Sequence, residues 1–205
     1  MFIEYNKLSV EQQYEVYRRY ENIVDKEIDK EFDARHDYLV EELNSTFGCC
    51  FENDDIVINN HGVYGISIYA CILFYDGKCY PNYPTKIISD KLLKDFARIK
   101  GIDKRIYHVL QSLIKNGSIY FYLDTDLNDI EIDDESGYKS LYKYPRVNHL
   151  INEYADFLRK KLNELISDCE ADIDYYCNES DFVDEVFEEN YLFDEHTLKI
   201  KPKQQ

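Results

Sequence analysis

Between residues 8 and 43 the apolar positions Val10, Tyr14, Tyr17, Val24, Ile28, Phe32, Leu39 and Leu43 recur at rough helical spacing among charged side chains. Ser9 and Gln12, three apart at the start, have the arrangement of a capping box. The segment predicts one long helix, or two short ones with a break near Asn22–Asp25. The period then changes to that of strands. "DIVIN" (55–59) and "GISIYACILFY" (65–75) are β-branched and aromatic, and "NHG" (60–62) between them suits a hairpin turn. "DGKCYPNYP" (76–84) reads as loop, because Pro81 and Pro84 bar regular structure.

Helical spacing returns after Ser89 and Asp90, through Leu92, Leu93, Phe96 and Ile99 to a stop at Gly101. A second helix carries Ile106, Val109, Leu110, Leu113 and Ile114 and stops at Gly117. "SIYFYL" (118–123) is a strand, followed by an irregular acidic stretch. Beyond Pro145 a long helix (147–176) places Ile151, Tyr154, Leu158, Leu162, Leu165, Cys169 and Ile173 on one side. A short helix (180–190) and an extended end (191–200) follow. The order predicts a single α+β domain over 1–205, with a small antiparallel sheet, helices at both ends, and an acidic helical region over 147–198. No repeat or linker divides it.

Charge changes this picture most. The chain has 41 Asp and Glu against 24 Lys and Arg, a formal charge of −17. Such a chain repels nucleic acid and anionic membranes and is steered toward basic surfaces. With 44% apolar residues it can still bury a core. The six cysteines form no CxxC pair, so reduced thiols in a cytosolic protein are expected. The opening "MFIEYNKLSVEQQ" has no apolar signal-peptide core, and "ISIYACILFY" (66–75) is far below the ~20 residues of a membrane span. The expectation is a soluble, intracellular protein.

The acids are clustered. "FYLDTDLNDIEIDDESGY" (121–138) holds Asp124, Asp126, Asp129, Glu131, Asp133, Asp134 and Glu135 with no basic residue. From Leu162 to Leu198 there are thirteen acids and again no Lys or Arg, among them Asp168, Asp172, Asp174, Glu179, Asp181, Asp184, Glu185, Glu188 and Glu189. Drawn as helix, that span is ~55 Å long at ~1.5 Å per residue, about one charge per 4 Å. One DNA strand carries one per ~3.4 Å. Asp181, Asp184, Glu185 and Glu188 share a face, and like charges at that spacing slightly destabilise a helix. An ordinary solvated face usually mixes signs, as residues 15–35 do.

The chemical alternatives have less behind them. Asp124, Asp126, Asn128 and Glu135 fall at positions 1, 3, 5 and 12 of a calcium loop, but Asp129 stands where the sharp turn needs Gly. The five histidines are scattered, and no nucleophile elbow, phosphate-binding loop or dinucleotide fingerprint is present. No enzyme activity, metal or cofactor is expected. Tyr5, Tyr14, Tyr17, Tyr20, Tyr175, Tyr176 and Tyr191 lie near charged runs, where a ring with a polar tip suits an interface, whereas Tyr69, Tyr120 and Tyr122 alternate in strands as packing residues.

"YNKLSVEQQYEVYRRYENI" (5–23) resembles the opening helix of small bacteriophage and prophage accessory proteins. "CNESDFVDEVFEENYLFDEHTL" (177–198) resembles their C-terminal pattern, an acidic helix running through Glu189 and Asn190 into an extended end at Phe193. In charge the chain is similar to nucleic-acid-mimicking anti-CRISPR and antirestriction proteins. The resemblance implies a phage accessory protein acting in the bacterial cytoplasm; with the acidic clusters, the expectation is a non-enzymatic inhibitor that occupies the basic surface of a host nucleic-acid-binding defence protein, without binding nucleic acid itself. The alternative is a protein–protein adaptor or antitoxin-like regulator whose acidity serves only solubility.

Overall fold

The computed structural model describes residues 1–49, 51–60, 66–70, 73–75, 78–80, 85–87, 89–116, 118–123, 127, 129–133, 145–178 and 180–203. In chain order the elements are β1 (Phe2–Ile3), α1 (Val10–Phe47), β2 (Ile56–Asn60), β3 (Ile66–Ala70), β4 (Leu73–Tyr75), β5 (Lys78–Tyr80) and β6 (Thr85–Lys86). There follow α2 (Asp90–Lys100), α3 (Lys104–Lys115), β7 (Tyr120–Leu123), β8 (Ile130–Asp133), α4 (Pro145–Asn178), α5 (Ser180–Asn190), β9 (Tyr191–Asp194) and β10 (Ile200–Pro202). The fold is α+β, and its sheets are small and antiparallel. Two compact units emerge: a terminal one, Met1–Arg35 with Ala171–Gln205, and a central one, His36–Glu170. The divisions fall inside α1 and α4, so no linker separates them.

The terminal unit is built from both ends of the chain. β9 is the middle strand of β1-β9-β10, with Ile3 opposite Phe193 and Phe193 opposite Ile200. Tyr5, Leu8, Val16, Val24, Phe187, Phe193 and Leu198 form its core. Rings interlock there: Tyr5 lies 5.2 Å from Phe187 and 5.6 Å from Phe193, centroid to centroid. The capping box forms as the spacing predicts, Ser9 N donating to Gln12 Oε1 at 2.9 Å and Gln12 N to Ser9 Oγ at 3.3 Å.

α1 corrects two expectations. It runs on to Phe47, and its one non-helical residue is Tyr20 (φ −124°, ψ 21°) rather than one within Asn22–Asp25. Val10 and Tyr14 are 77% and 69% exposed, while Val16 is fully buried. The helix meets the core along Val16, Tyr20 and Val24, four apart, which turns Val10 and Tyr14 away. The Tyr20 hydroxyl fixes this facing by donating to the Leu198 carbonyl at 3.2 Å.

In the central unit Gly48, the residue after α1, stands at φ +69°, a conformation that glycine adopts without strain. The chain then turns back, and Asn44 brackets Phe51, accepting from its N–H at 2.7 Å and donating to its carbonyl at 2.8 Å. β2 pairs with β3 from Ile56–Ala70 to Asn60–Ile66, in the expected register of a hairpin, although its turn lies outside the described residues. Within the expected strand 65–75 the described residues belong to β3, which pairs with β2, and β4, which pairs with β5; β5 falls inside the expected loop over 76–84. Prolines 81 and 84 follow that pairing and so do not prevent it.

β7 alternates as expected, Phe121 and Leu123 buried and Tyr120 and Tyr122 half-buried. It is the centre of β6-β7-β8. Phe121 and Phe96 close on Tyr154 of α4, at 5.1 and 5.2 Å between ring centroids. Ser89 caps α2, its Oγ accepting from Leu92 N at 3.3 Å.

Candidate acidic binding surface

The acidic stretch after β7 contains a strand, which corrects the expectation of an irregular segment. Alternation in "IEID" explains it: Ile130 is buried and Ile132 half-buried, while Glu131 and Asp133 are exposed along the edge strand β8. Across the ladder, Glu131 faces Tyr122 and Asp133 faces Tyr120. Those tyrosines therefore line the same side of the sheet as the acids, while Phe121 and Leu123 supply the core. Asp129 is not a display group. Arg159 Nε donates to its carboxylate, as does Ile130 N at 2.6 Å, and these bonds, the arginine's first, hold its pKa below the usual value. Arg159 also reaches Asp156 and the Ile130 carbonyl, both at 2.8 Å, tying α4 to β8. Asp124, Asp126, Asp134 and Glu135 lie outside the described residues, as do Asn128 of the calcium-loop reading and Glu179.

The C-terminal acids are spread, as the sequence predicts, over a long helix, a short helix and an extended end: α4 ends at Asn178, α5 begins at Ser180 and β9 at Tyr191. In the central unit, Glu164 pairs with Lys161 at 2.6 Å and Lys160 at 3.8 Å, and Asp168 is exposed. Glu170 is half-buried, and burial raises its pKa. In the terminal unit, Asp172 forms an ion pair with Arg35 at 3.0 Å, and Asp174 is exposed.

On α5, Phe182, Val186 and Phe187 are buried, which turns Asp181, Asp184, Glu185 and Glu189 outward and leaves Glu188 half-buried. Among the described residues no Lys or Arg side chain forms an ion pair with any of these five. Elsewhere, helical acids do find cations: Glu15 with Arg18 and Arg19, Glu27 with Lys30, Asp95 with Arg98. The α5 acids do have other partners. The buried Tyr5 hydroxyl donates to Asp184, and burial, then Asp184, push its pKa up. Tyr175 donates to Glu185 at 3.1 Å. Tyr5 is thus a core residue, contrary to the interface role expected of it, and Tyr17, Tyr20 and Tyr191 pack against the same core. Tyr14 and Tyr175 stay exposed.

The terminal unit also concentrates charge. Its 70 residues hold 19 acids against 9 basic residues, a net −10, while the other 135 hold 22 against 15, a net −7. Among the described residues, no three His, Cys, Asp or Glu side chains gather so as to hold a metal ion. Nor is any described helix long and apolar enough to cross a membrane.

One terminal acid is structural. Asp194 Oδ1 accepts from Thr197 N and Oγ1, both at 2.9 Å, and from His196 N at 3.2 Å; Oδ2 meets the N-terminal amine at 3.4 Å. These bonds, Thr197 N first, hold its pKa well below the carboxylate range. A folded pKa below the unfolded one gives stability that is complete above the unfolded value of about 4 and is lost as pH falls below it. Asp194→Asn should lower the melting temperature at pH 7, and the gap from wild type should narrow between about pH 4 and pH 2. A gap that is constant with pH would contradict this role.

No protein-family model, curated protein or solved structure matches the chain. The residues behind the resemblance to phage accessory proteins have structural tasks instead. Ser9 and Gln12 cap α1, the Gln13 amide donates to the Tyr5 carbonyl at 3.2 Å, and Asn190 donates to the Val186 carbonyl at 3.0 Å. Phe193 is core. These two stretches, far apart in sequence, make one body.

Proposed function

We propose that this protein is a non-enzymatic binder of a basic, nucleic-acid-binding protein surface, with the carboxylates of α5 standing in the positions of phosphates. One observation carries the reading. Asp181, Asp184, Glu185 and Glu189 point outward from α5 and, with the half-buried Glu188, form no ion pair with a Lys or Arg side chain among the described residues, within a run of sequence from Leu162 to Leu198 that has no basic residue. Over ~12 Å of helix axis they present about one charge per 3 Å, close to the ~3.4 Å of a DNA strand. A solvated helix gains nothing from such like-charge crowding. The mechanism is occlusion: Lys and Arg that would meet phosphate meet Asp and Glu instead. The resemblance to phage accessory proteins makes a host defence nuclease in bacterial cytoplasm the partner class. Asp174, in the same unit, adds an exposed acid.

Salt tests the reading. Exposed charge pairs are screened over about 8–10 Å at physiological ionic strength. Partners captured from bacterial lysate should bind at least about tenfold more weakly at ~300 mM salt than at ~50 mM. An affinity indifferent to salt would favour the adaptor reading, with acidity serving solubility alone.

A further inference from the structure

Tyr154 of α4 is only 3% exposed, and its hydroxyl has no hydrogen-bond partner among the described residues. A buried phenol usually finds one, because leaving it unmatched costs stability. The ring borders a cavity of about 190 Å³ in the central unit, enclosed by the start of α2, by α3 and by β7. Asp90 shares the cavity wall with Tyr154, and burial, then Asp90 and Tyr107, push the Tyr154 pKa up. A second group there is half satisfied: Gln111 Nε2 donates to the Tyr107 hydroxyl at 3.4 Å, while its Oε1 accepts from no described residue. Leu93, Ile114 and Phe121 supply an apolar wall. Asp90 and Lys115 pair with each other at 2.8 Å, so the mouth carries no net charge.

We propose that this cavity binds a small, uncharged, planar ring compound bearing a carbonyl beside an N–H. The carbonyl accepts from the Tyr154 hydroxyl, and the N–H donates to Gln111 Oε1. Size sets the class: a cavity of about 150 Å³ accommodates a benzene ring, so 190 Å³ fits one ring with a single polar substituent. The apolar wall takes the faces of the ring, and the two unmatched polar groups read its edge. A nucleobase such as a pyrimidine and a simple aromatic amide share this chemistry. The proposal concerns the central unit and stands apart from the role of α5.

The test is an NMR titration of the full 15N-labelled chain with benzamide and, separately, with uracil. Either ring should give saturable shifts confined to residues 89–93 and 111–115, with a dissociation constant on the order of 1 mM or tighter. Tighter binding of uracil assigns the site to a nucleobase, tighter binding of benzamide to an aromatic amide. Tyr154→Phe should weaken binding about three- to tenfold through loss of one hydrogen bond, with the melting temperature held or raised because no unmatched hydroxyl remains. If neither ring saturates the site, or if Tyr154→Phe binds both as tightly as wild type, the cavity holds only water and the proposal fails.

Discussion

The triple variant Asp181→Lys, Glu185→Lys, Glu189→Lys should lose partner binding by roughly a hundredfold, at about fivefold per reversed charge, while its melting temperature stays within a few degrees of wild type. The three acids lie four apart on the outer side of α5, are exposed, and have no ion pair among the described residues. Reversing them replaces attraction to a basic surface with repulsion and breaks no internal salt bridge among those residues. It does remove the hydrogen bond from Tyr175 to Glu185, which is exposed and therefore of small effect. The choice of residues matters. On sequence spacing alone, Asp181, Asp184, Glu185 and Glu188 would be reversed together. The structure argues against that set, because Asp184 accepts from the buried Tyr5 hydroxyl and Glu188 is near enough to influence it. Their loss would weaken the fold and the interface at once. If the triple variant binds fully, α5 is only a solvated face.

Phe187→Ala should cost about 3–5 kcal/mol, a large share of a domain's stability, so its unfolding is to be measured by denaturant at low temperature. The side chain has no exposure and touches three rings, Tyr5, Phe193 and Tyr191, at 5.2, 5.9 and 6.4 Å between centroids. Its truncation opens a cavity where the two ends of the chain meet. Phe187→Leu, which fills most of that volume, should cost far less. Hydrogen exchange should localise the damage to residues 2–24 and 182–202, with the central β2-β3 hairpin still protected. Equal loss of protection in that hairpin would mean the two units unfold as one.

Helices are the most legible part of the sequence. α2 is bounded by Ser89 and Gly101, a serine cap and a left-handed glycine at φ +62°, and the sequence carries both signals locally. The phase of α1 is not legible, because Val10 and Tyr14 fit the helical spacing as well as Val16 does. Only the facing of Tyr20 toward Leu198, 178 residues away, decides between them. β5 is hidden by the prolines that follow it, and β8 by its acids, although the alternation of "IEID" is there to be read. The acidic clusters are visible as composition, but their pairing is not. Asp172 meets Arg35 and Asp129 meets Arg159 across long sequence separations that no local pattern encodes. Tyr154 reads simply as a core position of α4; that its hydroxyl lacks a partner among the described residues is a tertiary fact.

Competition with nucleic acid tests the central claim most directly. The protein, immobilised, captures its partner from bacterial lysate at low salt, and duplex DNA or RNA is then added at constant ionic strength. Nucleic acid should release the partner in a concentration-dependent way, and the free protein should in turn displace labelled nucleic acid from the purified partner. A partner that stays bound at saturating nucleic acid, or that forms a ternary complex with both, would contradict that claim.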